Sequence, residues 1–185
     1  MTIARAVGTF TYPARFQLVA SMNPCPCGYR GVRNAECRCD DAAVAKYVGK
    51  LSGPLLDRID LQVQIARVPF DDMVRREGAE RSQTIRERVV AAREFARERF
   101  VGTPIKANAE IPPSAMRTYC ALDDAAMKLL AVASAKRQFS ARALDRIARV
   151  ARTIADLAGS STIRAEHVAE AVQYRSLERL DGRAA

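Results

Sequence analysis

The amino-acid sequence predicts a mainly α-helical fold with a smaller α/β portion at its N-terminal end. Short apolar or alternating runs, typical of β-strands, occur before Pro69, whereas the apolar residues after Pro69 follow helical spacing to the end of the chain. Between the predicted strands lies an insertion dense in Cys, Pro and Gly, at residues 24–39. These three observations indicate a few strands, an irregular insertion and a helical bundle, in that order.

Three segments are predicted to be strands. Gly8–Tyr12 alternates in polarity and ends at Pro13, which suits an exposed strand, and Phe16–Ala20 is a short apolar run typical of a buried strand. Leu61–Ile65 alternates strictly, so we expect it to be half-buried.

The helices are predicted from caps and apolar stripes. Asp40 or Asp41 caps a helix that runs to about Leu51, and the residues from Ser52 to Arg58 form a turn or short helix. The later helices pack their stripes against one another into a bundle; they are expected at Ile85–Phe100, after Pro112, from Asp123 to Leu130, from Ser140 to Ala158 and from about Arg164 to Leu177. The domain boundary is predicted in the polar stretch Arg75–Ser82, which divides the chain into residues 1–76 and 77–185.

The composition predicts a basic cytoplasmic protein. Among 185 residues, 30 are Lys or Arg and 21 are Asp or Glu, and the resulting charge of +9 suits a polyanionic partner or solvated helix faces. We find no signal peptide and no apolar run long enough to span a membrane. In the cytoplasm the five cysteines favour thiols or metal ligands over disulfides.

Four of the cysteines form two close pairs, which predict a structural zinc site. The pairs Cys25/Cys27 and Cys37/Cys39 are separated by nine residues and can supply four thiolate ligands to one tetrahedral ion. The spacing is C-x-C and not the C-x-x-C usual in zinc ribbons, so four free thiols in a surface loop remain an alternative. Cys120 follows a helical pattern and is expected to be a buried apolar residue.

Several motifs together resemble one protein family. They are Pro13–Phe16, Met22–Gly28, Ser52–Asp60, Tyr119–Leu122, Ser140–Ala143 and Val150–Gly159. The combination resembles the magnesium-chelatase-like AAA+ ATPases, and the cysteine-bearing insertion after Asn23-Pro24 resembles the branch that contains ComM and YifB. The resemblance implies an incomplete AAA+ core followed by a helical lid domain.

The resemblance also implies roles for three residues. Asn23 matches sensor 1, which orients the water that attacks the γ-phosphate, although an Asx-turn before Pro24 would also explain it. Arg58 matches the arginine finger, which reaches a neighbouring subunit's nucleotide; the alternative is a pairing with Asp57 or Asp60.

Near the start of the longest predicted helix, Arg142 matches sensor 2, which contacts the ATP phosphate from the lid of the same subunit. An arginine so close to a helix N-terminus is unfavourable with the helix dipole unless it has an anionic partner. Arg146 is a weaker substitute, and a solvated basic face explains both Arg146 and Arg149.

The family's nucleotide-binding half has no counterpart in this sequence. No segment fits the P-loop pattern, since Gly49-Lys50 precedes Leu51, and no apolar strand ends in Asp-Glu. We therefore expect this chain alone neither to bind ATP tightly nor to hydrolyse it. Because it begins inside the family pattern at Met1, we expect an internal start or a truncation, with ATP and Mg²⁺ bound only by the full-length protein.

Three functions follow from these observations. The first is the sensor, finger and lid segment of a homo-hexameric ComM-like DNA motor, a helicase active in branch migration during competence; the fragment alone is expected to be a monomer. The second is a small basic zinc-containing module that binds nucleic acid. The third, metal insertion, ranks last because only the cysteines offer metal ligands.

Overall fold

The described residues form a small N-terminal portion and a larger helical domain. The computed structural model describes residues 1–14, 16–32, 35–75 and 80–175. The predicted end of the last helix at Leu177 and part of the predicted boundary segment lie outside them. The elements are β1 (Thr2–Arg5), β2 (Gly8–Thr11), α1 (Asp41–Val48), α2 (Gly53–Leu56), α3 (Phe70–Arg75), α4 (Ser82–Arg99), α5 (Met116–Tyr119), α6 (Asp124–Arg137), α7 (Ala141–Leu157) and α8 (Ala165–Gln173).

The first two strands form an antiparallel hairpin. Thr2 pairs with Thr11 and Arg5 with Gly8, so the turn spans only the residues between Arg5 and Gly8. Most hairpin residues are exposed, which agrees with the exposed strand predicted at Gly8–Tyr12.

The other two predicted strands were wrong as elements. Phe16–Ala20 has no strand structure and is exposed, with Val19 at 84% of its full accessibility. A buried strand needs hydrogen-bonding neighbours and cover on both faces, and the part of the chain described here places neither beside this segment. At Leu61–Ile65 only one parallel bridge forms, between Gln62 and Arg175.

At that bridge the polar residue is buried and its apolar neighbours are exposed, the reverse of what the alternating sequence predicts. Gln62 is buried at 3%, whereas Leu61 and Val63 are more than half exposed. The Gln62 amide nitrogen donates to the Tyr174 carbonyl at 2.8 Å, and its side-chain Nε2 donates to the Leu56 carbonyl at 3.3 Å. Because these bonds pair its backbone and side-chain N–H groups, the glutamine can occupy the buried position.

The helical domain has one apolar core. The side chains of Asp123 and Ser140 accept hydrogen bonds from the amides of Ala126 and Ala143, which caps α6 and α7 as predicted. The buried core residues lie on α6, α7, α8 and the connecting segments, and Cys120 is among them at 5% exposure, as predicted.

Helix α4 contributes less to this core than its stripe predicts. Ile85 and Val89 are 41% and 42% exposed, and only Ala96 and Phe100 at the C-terminal end pack into the core. The bundle therefore rests mainly on α6, α7 and α8. None of the described helices combines the length and the apolar character that a membrane span requires.

Candidate metal centre and nucleotide-sensing arginines

The four clustered cysteines of the insertion converge on one point. The Sγ atom of Cys25 lies 3.4 Å from that of Cys27 and 3.7 Å from that of Cys37, and the Cys27 and Cys37 sulfurs are 3.6 Å apart. All four sulfurs, including that of Cys39, lie within 4.8 Å of one another. Cys25 is fully buried, and the other three are partly buried.

This spacing fits a tetrahedral thiolate site. Zn–S bonds of about 2.3 Å in a regular tetrahedron place the sulfurs about 3.8 Å apart, close to the three measured separations. Four sulfur donors with no oxygen or nitrogen ligand among them suit a soft or borderline ion rather than Mg²⁺ or Ca²⁺. The cluster can therefore hold a metal ion.

A tight turn and helix α1 hold the cysteines in place. The Gly28 amide donates to the Cys25 carbonyl at 3.0 Å, and Gly28 has φ +81°, a conformation that glycine adopts without strain. On the other side, Val44 and Val48 of α1 pack against the sulfurs, and the Arg30 guanidinium bridges to Asp41 at 2.8 Å. Because Asp40 caps α1 through the Ala43 amide, the helix starts where the second cysteine pair ends.

The cysteines differ in acidity. The backbone groups of Tyr29 and Arg38 lower the pKa of Cys27 to about 6. Although a backbone contact of Cys27 lowers the pKa of Cys39, the Cys27 side chain and burial together raise it to about 12. The lowered pKa of Cys27 favours its thiolate, the form that binds a metal cation, and metal binding would displace the protons of the other cysteines.

The predicted sensor 1 residue adjoins this cluster. Asn23 precedes it by two residues and is exposed. Its amide faces Gly28, where an added Cβ would lie 3.6 Å from the Asn23 Nδ2 atom. The Asn23 side chain and Gly28 are therefore neighbours at van der Waals range, and the metal loop lies beside Asn23.

Arg58 and Arg142 are both exposed in the structure. The Arg58 Nη1 atom donates to the Pro54 carbonyl at 2.6 Å, within its own turn. Within the described residues Arg58 makes no ion pair with Asp57 or Asp60, so the structure does not contain the pairing considered as its alternative. Arg142 lies in the first turn of α7 and has no hydrogen bond or ion pair to any described residue.

Arg146 and Arg149 do not form the solvated basic face that the sequence favours. Arg146 is 26% exposed and forms an ion pair with Asp60, and the Arg149 Nε atom donates to the Ile111 carbonyl at 3.2 Å. Both arginines thus have partners within the chain. Arg142, also near the start of α7, has no such partner among the described residues.

A polar junction brings the segment that carries Arg58 to the start of α7, and sequence reasoning missed it. The Ser140 hydroxyl donates to Asp57 at 2.9 Å, and Arg175 Nη1 donates to the Ile59 carbonyl at 2.6 Å. These partners are 83 and 116 residues apart, so no local pattern points to them. The junction places the segments that carry Arg58 and Arg142 side by side.

Comparison with known proteins identifies the family of this chain. The family model described as magnesium chelatase, subunit ChlI, matches residues 1–73, and the model of its C-terminal part matches residues 79–175. The chain belongs to the magnesium chelatase ChlI family. It is 40% identical over 180 residues to the competence protein ComM of Haemophilus influenzae and 40% identical over 182 residues to YifB of Escherichia coli.

A third relative is an uncharacterized protein of Mycobacterium tuberculosis, 41% identical over 173 residues. These three matches cover 94–96% of this chain but only 34% of each relative. The chain therefore spans about a third of the length of these curated relatives. The resemblance to this family, and to ComM and YifB in particular, is confirmed, while the division at residues 76 and 77 and the roles of the individual site residues stay predictions.

Proposed function

We propose that this chain is the sensor, arginine-finger and lid segment of a ComM-like, ATP-driven motor. The observation that supports it most directly is the junction between the finger segment and α7. It places the segments that carry Arg58 and Arg142 side by side, and both of these side chains are exposed, while neighbouring Arg146 is neutralised by Asp60. Exposed arginines held on a fixed frame suit the binding of phosphate oxygens.

In this function Arg58 stabilises the charge that develops on a γ-phosphate held by a neighbouring subunit. Asn23 orients the attacking water, because an amide both donates to a phosphate oxygen and accepts from water. Arg142 contacts the phosphates from the lid. The P-loop and Mg²⁺ belong to the longer polypeptide, and the motor is a homo-hexamer that acts on DNA, as the similarity to a competence protein and the charge of +9 favour.

The cysteine cluster holds a structural zinc ion in this proposal. Four protein sulfurs complete the coordination shell and leave no position for water or substrate, so the ion supports the fold of residues 24–39 and takes no part in chemistry. The packing of the loop against Asn23 would also keep sensor 1 in place.

The test is a set of arginine variants in the longer polypeptide that carries this chain together with a P-loop. Arg58→Ala should reduce ATP hydrolysis by about 10³-fold or more, the range measured for arginine fingers, while binding of a fluorescent ATP analogue is retained. Arg86→Ala on exposed α4 is the matched control and should hydrolyse ATP normally. Equal loss of binding and hydrolysis in Arg58→Ala would show a folding role and refute the proposal.

A small zinc-containing module that binds nucleic acid by itself is the second candidate. Its basic charge is dispersed and partly neutralised, because Arg30, Arg88 and Arg97 each form an ion pair with a carboxylate. We therefore expect the isolated chain to bind duplex DNA weakly at 150 mM salt, a condition close to physiological screening. Submicromolar binding there would favour the module over the motor segment.

A further inference from the structure

The segment that carries Arg58 is attached to the helical domain through the residues on either side of that arginine. Asp57 accepts from Ser140 and lies 3.6 Å from Arg175, and the Ile59 carbonyl accepts from Arg175 Nη1 at 2.6 Å. Arg175 is fully buried, and its guanidinium contacts both residues that flank Arg58, Asp57 and Ile59. Asp60 adds an ion pair with Arg146.

Arg58 itself takes no part in this attachment. Its side chain is exposed and bonds to the Pro54 carbonyl in its own turn. The flanking contacts hold the Asp57 carboxylate on one side of the arginine and the Ile59 carbonyl on the other, while the guanidinium stays exposed. A side chain presented from a segment held on both sides loses less conformational freedom when it binds.

Ser140 connects this attachment to the axis of α7. Its hydroxyl oxygen accepts from the Ala143 amide at 3.1 Å, which caps the helix, and its hydroxyl hydrogen is directed to Asp57 at 2.9 Å. One hydroxyl can do both because it carries one donor and two lone pairs. The position of Asp57 is therefore set by the first turn of the helix that also carries Arg142.

We propose that Ser140 and Arg175 are positioning residues for the arginine finger, acting through Asp57 and the Ile59 carbonyl. The inference rests on the proposed function of Arg58. It adds that a movement of α7 is transmitted directly to the finger, so that finger and lid move as one body. Loss of the junction then lowers kcat without weakening ATP binding, because the finger acts in the transition state.

Ser140 offers a pair of variants that separates this role from helix capping. Ser140→Asp keeps a good N-cap but removes the donor and places a second carboxylate against Asp57. Ser140→Thr keeps both the cap and the hydroxyl donor. In the longer polypeptide we expect kcat to fall about tenfold or more in Ser140→Asp, with the KM for ATP within about twofold of wild type, and no comparable change in Ser140→Thr.

A second substitution should rescue the first. Adding Asp57→Asn to Ser140→Asp restores a hydrogen bond with donor and acceptor exchanged and removes the repulsion between two carboxylates. We expect kcat to recover at least partly in the double variant. The thermal midpoint of the 185-residue chain serves as the structural readout, and it should be similar in Ser140→Asp and Ser140→Thr because both residues cap α7.

The possible results separate the two proposals. A wild-type longer polypeptide without ATPase activity would overturn the proposed function together with this inference. An active wild type whose kcat is unchanged by Ser140→Asp would overturn the inference alone. A fall in kcat that the Asp57→Asn addition does not reverse, or that accompanies a large loss of thermal stability, would also overturn it, since that result describes a damaged fold.

Discussion

Replacing Asp156 with asparagine should destabilise the helical domain more than most single substitutions. The carboxylate is 3% exposed, and its Oδ2 atom accepts from Asn108 at 2.7 Å and from Arg99 Nη1 at 3.1 Å. Its Oδ1 atom accepts from the Nε atom of Arg152 at 3.0 Å and also contacts Arg99. One carboxylate thus serves two guanidiniums, one of them buried.

The magnitude follows from what remains after the substitution. Asparagine keeps the size of the side chain but removes the charge, so Arg152, itself 2% exposed, loses its counter-ion while burial already lowers its pKa. Breaking a buried ion pair by removing one partner costs roughly 3–5 kcal/mol. For a domain of this size 1 kcal/mol corresponds to about 4–8 °C, so the thermal midpoint should fall by about 12 °C or more.

The assay is thermal and urea unfolding followed by circular dichroism at the helix band. Asp145→Asn is the matched control, because Asp145 lies on the same helix, is partly exposed and has no hydrogen bond or ion pair to the described residues. We expect the control to change stability by less than about 0.5 kcal/mol. A loss below about 1 kcal/mol in Asp156→Asn would refute the reasoning, since it would mean that the arginines do not depend on this carboxylate.

Two further predictions concern thiols and backbone. With Ellman's reagent at pH 8 Cys120 should stay unreactive in the native chain and react only after denaturation, because it lies in the helical core and burial raises its pKa to about 11. In the native, chelator-treated chain the fastest thiol should be Cys27, whose pKa is lowered to about 6 by backbone groups, and zinc should block its reaction; five rapid reactions in the native state would contradict this. Gly159→Ala should lower the free energy of unfolding by about 1–2 kcal/mol, since Gly159 has φ +64°. The control is Gly53→Ala, where an added Cβ also meets open space but φ is not positive, and urea unfolding should show nearly unchanged stability.

The features that the sequence predicts correctly depend on neighbours a few residues away. Asp40, Asp123 and Ser140 each cap a helix by accepting from the amide three residues on, a contact that local spacing specifies. The cysteine cluster is of the same kind, because two close pairs joined by a short loop can meet without help from the rest of the chain. The apolar positions of α7, such as Ile147 and Ala151, follow directly from helical periodicity.

The features that the sequence does not predict depend on distant partners. The alternation of Leu61–Ile65 specifies two faces but not which one is covered, and the bonds of Gln62 to Tyr174 and Leu56 decide it. The apolar run Phe16–Ala20 has the composition of a buried strand, but composition does not supply the neighbouring strands. Tertiary contacts decide the outcome at Leu61–Ile65, whereas at Phe16–Ala20 the described residues lack the contacts that a strand would need.

The sequence predicts the apolar core but not the polar junction, and the physical reason for this difference also bears on function. Apolar packing is non-directional, so an apolar stripe at helical spacing can be buried in many arrangements. Periodicity in the sequence is therefore enough to predict it. The junction of Asp57, Ser140 and Arg175 depends on directed hydrogen bonds between specific atoms, which no periodicity encodes. Directed bonds also fix orientation, which apolar packing does less strictly. A polar junction is therefore better suited than an apolar one to hold Arg58, the proposed arginine finger, at one angle to α7.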